Sequence, residues 1–310
     1  MKANSNLEKV LASGQFAVTA ELGPPKGTNR SLVEKRAAEL KDAADAINIT
    51  DNQTAITRMS SLATSIIVRQ LGLDPVMQIT CRDRNRLAIQ ADVLGAAAFG
   101  IKNILALSGD HQSFGNHPTA KNVYDLDSLH LVQMLVKMRD EKQFQSGDTF
   151  RGNVPIFVGA AANPYGDPFE FRVIRLAKKV KAGADFIQTQ AIFNVEKFAR
   201  YMAMAREMGL PDKVKILAGV IPMKSAAMAR YMHTSVAGVD VPAEMVTRME
   251  QAKDAQEEGV KLCLEVIEQV RQIPGVAGIH IMAVGWEEIV PSVVERAGLL
   301  PRPKFEAPAS

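Results

Sequence analysis

Residues Phe169–Gln190 read FEFRVIRLAKKVKAGADFIQTQ, and the fold is decided by how this stretch divides. Phe169, Val173, Leu176, Ala177 and Val180 fall at i, i+4, i+7, i+8 and i+11, the spacing of one face of an α-helix. Gly183 follows the last turn, where a residue that accepts a left-handed backbone ends a helix without steric cost. Asp185–Gln190 (DFIQTQ) then reads as a strand. The same order of helix, glycine stop and strand recurs in GAAAFGIKNI (95–104), REMGLPDKVKIL (206–217) and QIPGVAGIHI (272–281). Leu87, Ala91, Leu94 and Ala98 repeat the helical spacing in an earlier segment.

Working outward, short β-branched runs occur at Phe16–Leu22, Ala46–Thr50, Pro75–Cys81, Ile101–Ser108, Pro155–Ala160, Asp185–Gln190, Val214–Ile221 and Ala277–Val284. Most begin about 30 residues apart, the length of a strand–helix unit. Such alternation implies a parallel sheet with right-handed crossovers, and eight units imply a closed (β/α)8 barrel. Two intervals are longer: polar residues 109–127 follow the fourth strand, and extra helix lies between Pro222 and Ile273. An open doubly wound sheet is the alternative, but neither GxGxxG nor GxxxxGK[ST] is present. The expected organisation is one α/β barrel over residues 1–300 with a short N-terminal helix. The proline-rich tail, residues 301–310, is expected to fray.

The 37 basic and 34 acidic side chains leave a net charge of +3, and aromatic residues make up 5% of the chain. That is a weak electrostatic footprint with few stacking platforms, so nucleic acid is not an expected partner. No stretch approaches a membrane span, and the first residues do not read as a secretion signal. Cys81 and Cys263 are too far apart in sequence to suggest a disulfide framework or a cysteine zinc site, so a reducing cytoplasm is expected. The five histidines lack ligand spacing, no metal is expected, and no GxSxG elbow supports acyl transfer.

In a barrel the chemistry sits at the C-terminal ends of the strands. Those ends carry Glu21, then Thr50, Asp51 and Asn52, then Gln78 and Thr80, then Ser108, Gly109 and Asp110, then Asn163, then Gln188 and Gln190, with His280 inside the eighth strand. Glu21 stands out, because an acid in an otherwise apolar strand is costly to bury unless paired or protonated, and a held proton is what a general acid needs. Arg82, Arg84 and Arg86, with Arg172, Arg175, Lys178 and Lys179 on the helix after the fifth strand, read either as a solvated face or as holders of an anionic cofactor.

Several motifs in order along the chain carry a resemblance: Ala20-Glu21-Leu22-Gly23-Pro24-Pro25, Leu107-Ser108-Gly109-Asp110, Ala182-Gly183-Ala184-Asp185 through Thr189-Gln190, and Gly219-Val220-Ile221-Pro222. From Phe16 to Pro303 the sequence resembles flavin-dependent 5,10-methylenetetrahydrofolate reductases. The resemblance implies a ping-pong reaction in which a donor reduces bound flavin and the flavin passes hydride to the folate, a step toward methionine biosynthesis. It implies Glu21 as the general acid, Asp110 beside flavin and pterin, Gln190 as a hydrogen-bond partner of the pterin, and Thr50 near the nicotinamide and flavin face. It also implies flavin contacts at Gln78, Ser108, Gly109, Asp110, Tyr124, Arg175, Lys178 and Lys179, with Asp51, Gln53 and Asn163 beside them.

The departures from the family pattern are specific. The start reads Ala20-Glu21-Leu22-Gly23 where better-known members have Phe-Glu-Phe-Phe, and Ser108, Gln78 and Arg172 replace an arginine, a histidine and an aspartate. Met228 and Met232 stand for a folate-binding glutamine and a nicotinamide-stacking phenylalanine. The pattern is similar to the reductases of anaerobic one-carbon pathways, which leaves NAD(P)H or an electron-donating partner subunit as the donor, FMN beside FAD as the cofactor, and a homo-oligomer as a possible state. A pterin-dependent methyltransferase without flavin, or a non-catalytic barrel subunit, are the alternative readings.

Overall fold

The computed structural model describes residues 1–305, and eight parallel strands close a barrel in the order β1 to β8. They are β1 (Ala17–Leu22), β2 (Ala46–Ile49), β3 (Pro75–Thr80), β4 (Asn103–Leu107), β5 (Phe157–Ala162), β6 (Phe186–Ala191), β7 (Lys215–Val220) and β8 (Val276–Ile281). The barrel closes where β1 pairs with β8 in parallel, Thr19 opposite His280. The strands are predominantly apolar and almost wholly buried because both faces of a parallel barrel sheet are covered, by helices outside and by packed side chains within.

The helices are α1 (Asn6–Ala12), α2 (Arg30–Leu40), α3 (Ser61–Gln70), α4 (Arg86–Ala98), α5 (Ser128–Asp140), α6 (Phe169–Lys181), α7 (Val195–Glu207), α8 (Ala226–Ser235), α9 (Ala243–Gln251), α10 (Ala255–Arg271) and α11 (Val290–Arg296). The long interval after β7 is filled by α8, α9 and α10, and the one after β4 by a loop with a single 3₁₀ turn, Gln112–Phe114. One expected face is corrected. In α4 the buried residues are Ile89, Val93 and Ala96, while Leu87 is 74% exposed and Ala91 and Ala98 face solvent. The segment RLAIQADVLGAAA carries two apolar stripes two positions apart; the one with the β-branched pair is fully buried, while of the other only Leu94 packs partly against the core.

Inside the barrel, alternate residues of each strand point inward and stack in layers. The lowest layer is apolar: Ala17, Ala46, Val76, Leu105, Phe157, Phe186 and Leu217 pack with Leu7, Val10 and Leu11 of α1, so the N-terminal helix plugs the bottom. Phe157 and Phe186 stack with ring centroids 5.1 Å apart. Gly159 makes room for them, since a Cβ there would lie 2.3 Å from the Phe186 ring. Serine and glutamate set the plug: Ser5 Oγ accepts from Glu8 N (3.0 Å), and the Glu8 carboxylate accepts from Ala3 N and Asn4 N.

Two aspartates lock neighbouring strands at the bottom in the same way. Asp45 takes Val18 N on its carboxylate while its own amide donates to Val18 O, and Asp185 does the same with Val158. Each buried carboxylate is met by arginine, Asp45 by Arg302 and Asp185 by Arg139. Arg302 lies in the tail expected to fray, yet its guanidinium also donates to Phe16 O and Leu299 O. The start of that segment is therefore docked, and its last residues, 306–310, lie outside the described residues. A cleft of about 1210 Å³ runs beside this strap and is lined by Lys9, Asp45, Arg69 and Arg302. It lies at the end of the barrel opposite the strand C-termini.

Candidate functional site

Above the apolar layer the barrel interior turns polar. Thr19 of β1, Asn48 of β2, Gln188 of β6 and His280 of β8 are all buried there. Asn48 and Gln188 exchange amide hydrogen bonds at 2.7 and 3.1 Å, Gln188 Nε2 donates to Thr19 Oγ1 at 3.0 Å, and Thr19 Oγ1 meets His280 Nδ1 at 2.9 Å. Every member is satisfied by another, which lets a polar group persist where an unpaired one would cost about 1–3 kcal/mol.

Glu21 stands one layer higher, two residues beyond Thr19 on the same inward face of β1. Its side chain is 20% exposed, and Oε1 faces His280 Nε2 at 3.5 Å. Gln78 Nε2 of β3 lies 3.4 Å from the same oxygen. Gln190, two residues beyond Gln188, is exposed at the same rim. A carboxyl, an amide and a histidine thus meet at the mouth, the arrangement that proton donation to a bound substrate needs.

The loops around this mouth clasp one another. After β2 the chain takes positive φ at Asn52, Thr54 and Ala55, and Thr54 N donates to Asp110 Oδ2 at 3.0 Å across the gap to the loop after β4. Thr57 N donates to Asn116 Oδ1, and Gly115 lies so close that a Cβ would sit 1.8 Å from Ala55 O. Gly109 turns the chain with φ +85°, leaving Ser108 and Asp110 exposed at the rim. Tyr124, at φ +40° and exposed, is held by its amide on Cys81 O.

Three of the expected cofactor contacts have other occupations. The Asp51 side chain has no exposed surface and accepts from Thr80 N, Thr80 Oγ1 and two nitrogens of Arg84. Thr50 is buried, and its hydroxyl donates to Gln53 Oε1, which packs against Gly23. Asn163 Oδ1 accepts from Tyr165 N. The basic run after β3 is likewise absorbed: Arg84 by Asp51 and Asp92, Arg86 by Asp125, and Arg82 by Asp83. Arg82 is 2% exposed and also donates to Asn52 O and Asp110 O, so it stitches three mouth loops together. Neither a solvated face nor an anion holder, the two readings open for Arg82 in the sequence, describes this buried strut; the apolar strand running straight into it was the available signal.

On α6, Arg175, Lys178 and Lys179 fall at i, i+3 and i+4 and share one face. Arg175 and Lys178 are exposed, while Lys179 extends back along the helix to donate to Ala161 O near the end of β5. Burial, and then the neighbouring Arg175, hold the Lys179 amine down at about 8. Arg172 turns away from this face, donating to Gly166 O and Asp167 O. Met232 is 6% exposed and packs with Ile221, Met249 and Leu262 in the α8–α10 core. Among the described residues no group of three metal-ligating side chains converges and no helix is long and apolar enough to cross a membrane.

The profile of the methylenetetrahydrofolate reductase family matches residues 6–298. A probable methylenetetrahydrofolate reductase (NADPH) of Caenorhabditis elegans is 25% identical over 80% of this chain and 36% of its own length. The 5,10-methylenetetrahydrofolate reductase of Salmonella typhimurium is 22% identical over 96% of this chain and 95% of its own. The chain therefore spans well under half of the nematode relative and nearly all of the bacterial one. Among solved structures, a Clostridium thermocellum protein that binds two copies of 5-methyl-5,6,7,8-tetrahydrofolic acid superposes with a TM-score of 0.66 at 14% identity, over 94% of this chain and 98% of that one.

Proposed function

The chain belongs to the methylenetetrahydrofolate reductase family, and from that premise we propose that it reduces 5,10-methylenetetrahydrofolate to 5-methyltetrahydrofolate with a bound flavin. The observation that carries this reading is Glu21, a carboxyl at the barrel mouth with one oxygen facing two nitrogen donors and one-fifth of its side chain open. The folate bound by the Clostridium thermocellum protein of the same fold supports the choice of substrate.

The residues fit a flavin. Burial, and then the like charge of Arg175, lower the amine of Lys179, and a phosphate held beside these two cations would relieve both effects. Ser108, Gly109, Asp110, Tyr124 and Gln78 would line the path from that cationic face to the mouth, with Gln53 at its edge. FAD is the proposed cofactor, with FMN an alternative that Lys178 and Lys179 would also hold. When bound, the flavin supplies the hydride.

The protein's own part is to bind, orient and move one proton. Glu21 gives its proton to the folate nitrogen as the five-membered ring opens, leaving a cationic one-carbon unit. The Asp110 carboxylate stabilises that charge, and its tie to Thr54 N keeps it oriented beforehand. Gln190 fixes the pterin through its side-chain amide. Asp51, Thr50, Arg82 and Arg84 hold the loops that carry these groups.

The purified protein is expected to be yellow, to bleach with reductant and to regain colour when methylenetetrahydrofolate is added. A colourless protein that takes up neither flavin overturns the reading. Glu21→Gln is expected to leave flavin reduction intact and to abolish the return of colour. A stopped-flow comparison of NADH, NADPH and a low-potential dye identifies the donor class, and faster reduction by the dye than by either nucleotide supports a partner subunit.

A further inference from the structure

Both nitrogen donors that approach Glu21 converge on one oxygen. His280 Nε2 lies 3.5 Å and Gln78 Nε2 3.4 Å from Oε1. These are long contacts, of the length that catalytic hydrogen bonds have before a substrate tightens them. In a neutral carboxyl the carbonyl-type oxygen accepts and the other carries the proton. Two N–H donors on Oε1 therefore assign the acceptor role to it and the proton to Oε2.

This holds only while His280 presents N–H at Nε2, and the network beneath it sets that tautomer. Thr19 Oγ1 receives the Gln188 amide at 3.0 Å, which takes up one of its lone pairs. Its own proton has two destinations, Ile279 O at 3.4 Å and His280 Nδ1 at 2.9 Å, and the shorter contact is to the ring. With Nδ1 accepting, the ring proton stands on Nε2, toward Glu21. A neutral ring matters as well, because an imidazolium at this distance would favour ionised Glu21 and oppose its work as an acid. The groups around the ring are Glu21 and Thr19 from β1, Gln188 from β6 with Asn48 of β2 behind it, and Gly219 of β7 beside it in register. Glu21 is the ionisable one among them.

We propose that His280 is the positioning residue of the general acid: as a neutral Nε2–H tautomer locked by Thr19, it pins Oε1 of Glu21 so that the transferred proton sits on Oε2, facing the folate. The proposal rests on the functional reading above, so its test needs one arm that involves no turnover. Histidine labelled with ¹⁵N in the holoenzyme reads the tautomer directly. The His280 signal, assigned with His280→Gln, is expected to show Nε2 protonated and Nδ1 bare at neutral pH, and to lose that preference in Thr19→Val. An Nδ1–H ring or an imidazolium at neutral pH overturns the proposal, whether or not the protein reduces folate.

The kinetic arm uses the reoxidation of reduced flavin by methylenetetrahydrofolate. His280→Leu is expected to slow it about 100-fold, the lower end of what acid–base catalysis contributes, with flavin content and flavin reduction within twofold of wild type. His280→Gln keeps an amide N–H near Oε1 and should recover part of the loss. Thr19→Val should fall between the two and change the shape of the pH–rate profile, which a purely structural ring would not do. A His280→Leu protein that reoxidises within twofold of wild type, with an unchanged pH profile, overturns the assignment. If His280→Leu does not fold, Thr19→Val and His280→Gln decide on the same criteria.

Discussion

Arg84 closes on Asp51 with both terminal nitrogens, Nη1 to Oδ2 at 2.8 Å and Nη2 to Oδ1 at 3.0 Å, around a carboxylate with no exposed surface. A pair in this geometry holds the end of β2 against the end of β3, and breaking it from its two sides has unequal effects. Arg84→Ala strands a buried carboxylate and should cost about 3–5 kcal/mol. Asp51→Asn leaves Arg84, which is 18% exposed and can turn to water, so its cost should be smaller. Urea unfolding of both variants checks the order, and an equal or reversed order would mean that Asp51 is not a structural strut.

Lys179 makes anion binding depend on pH. Its amine is held at about 8 against the ordinary 10.5, so above that point the free protein loses the charge. A bound phosphate raises the amine again, and binding must then take up a proton. Flavin affinity should therefore fall as pH rises from about 8 toward 10. Titration calorimetry in two buffers of different ionisation enthalpy should detect the proton at pH 9, and Lys179→Met should abolish it. A pH-independent affinity in the wild-type protein would separate Lys179 from the phosphate.

Gly115 tests the clasp between the loops. Its φ of −102° suits any residue, so Gly115→Ala acts only through the methyl, which would lie 1.8 Å from Ala55 O. The β2 loop must move away, and with it Thr54, whose amide holds Asp110. The expected result is slower folate reduction and weaker flavin retention, with thermal stability lowered by about 1–3 kcal/mol because the methyl meets backbone rather than a side chain that could turn aside. A variant with wild-type kinetics would show that the clasp does not orient Asp110.

The eight strands were legible because each parallel strand is buried on both sides and reads as a short, mainly apolar, β-branched run: Pro75–Cys81 was expected and Pro75–Thr80 is found, Val214–Ile221 was expected and Lys215–Val220 is found. Strand alternation likewise brings Glu21 and Gln190 to the mouth. What sequence reasoning could not supply was pairing at long range. Asp51, Arg84 and Arg82 read as cofactor contacts or as solvated polar groups because their partners lie some thirty residues away on other loops. Arg302, in a segment of proline and charge, gave no sign that Asp45 waited for it across the barrel floor.

That last pair yields a prediction whose sign is set by burial. The Asp45 side chain has no exposed surface; burial raises its affinity for a proton, and Arg302 works against that through contacts at 2.6 and 3.1 Å. Arg302→Ala leaves the carboxylate buried without its countercharge, which should cost about 3 kcal/mol or more at pH 7. It also raises the folded-state value of Asp45 further above 3.8, so the native state holds the proton more tightly than the unfolded chain. Stability from a group raised in this way is largest in acid and is lost as pH rises through the folded value. The melting-temperature deficit of Arg302→Ala should therefore be widest at neutral pH and narrow as pH falls toward 4.5. Thermal melts of wild type and variant at pH 7 and pH 4.5 measure it, and a deficit that stays constant or widens in acid would mean that Arg302 stabilises the strap by packing alone.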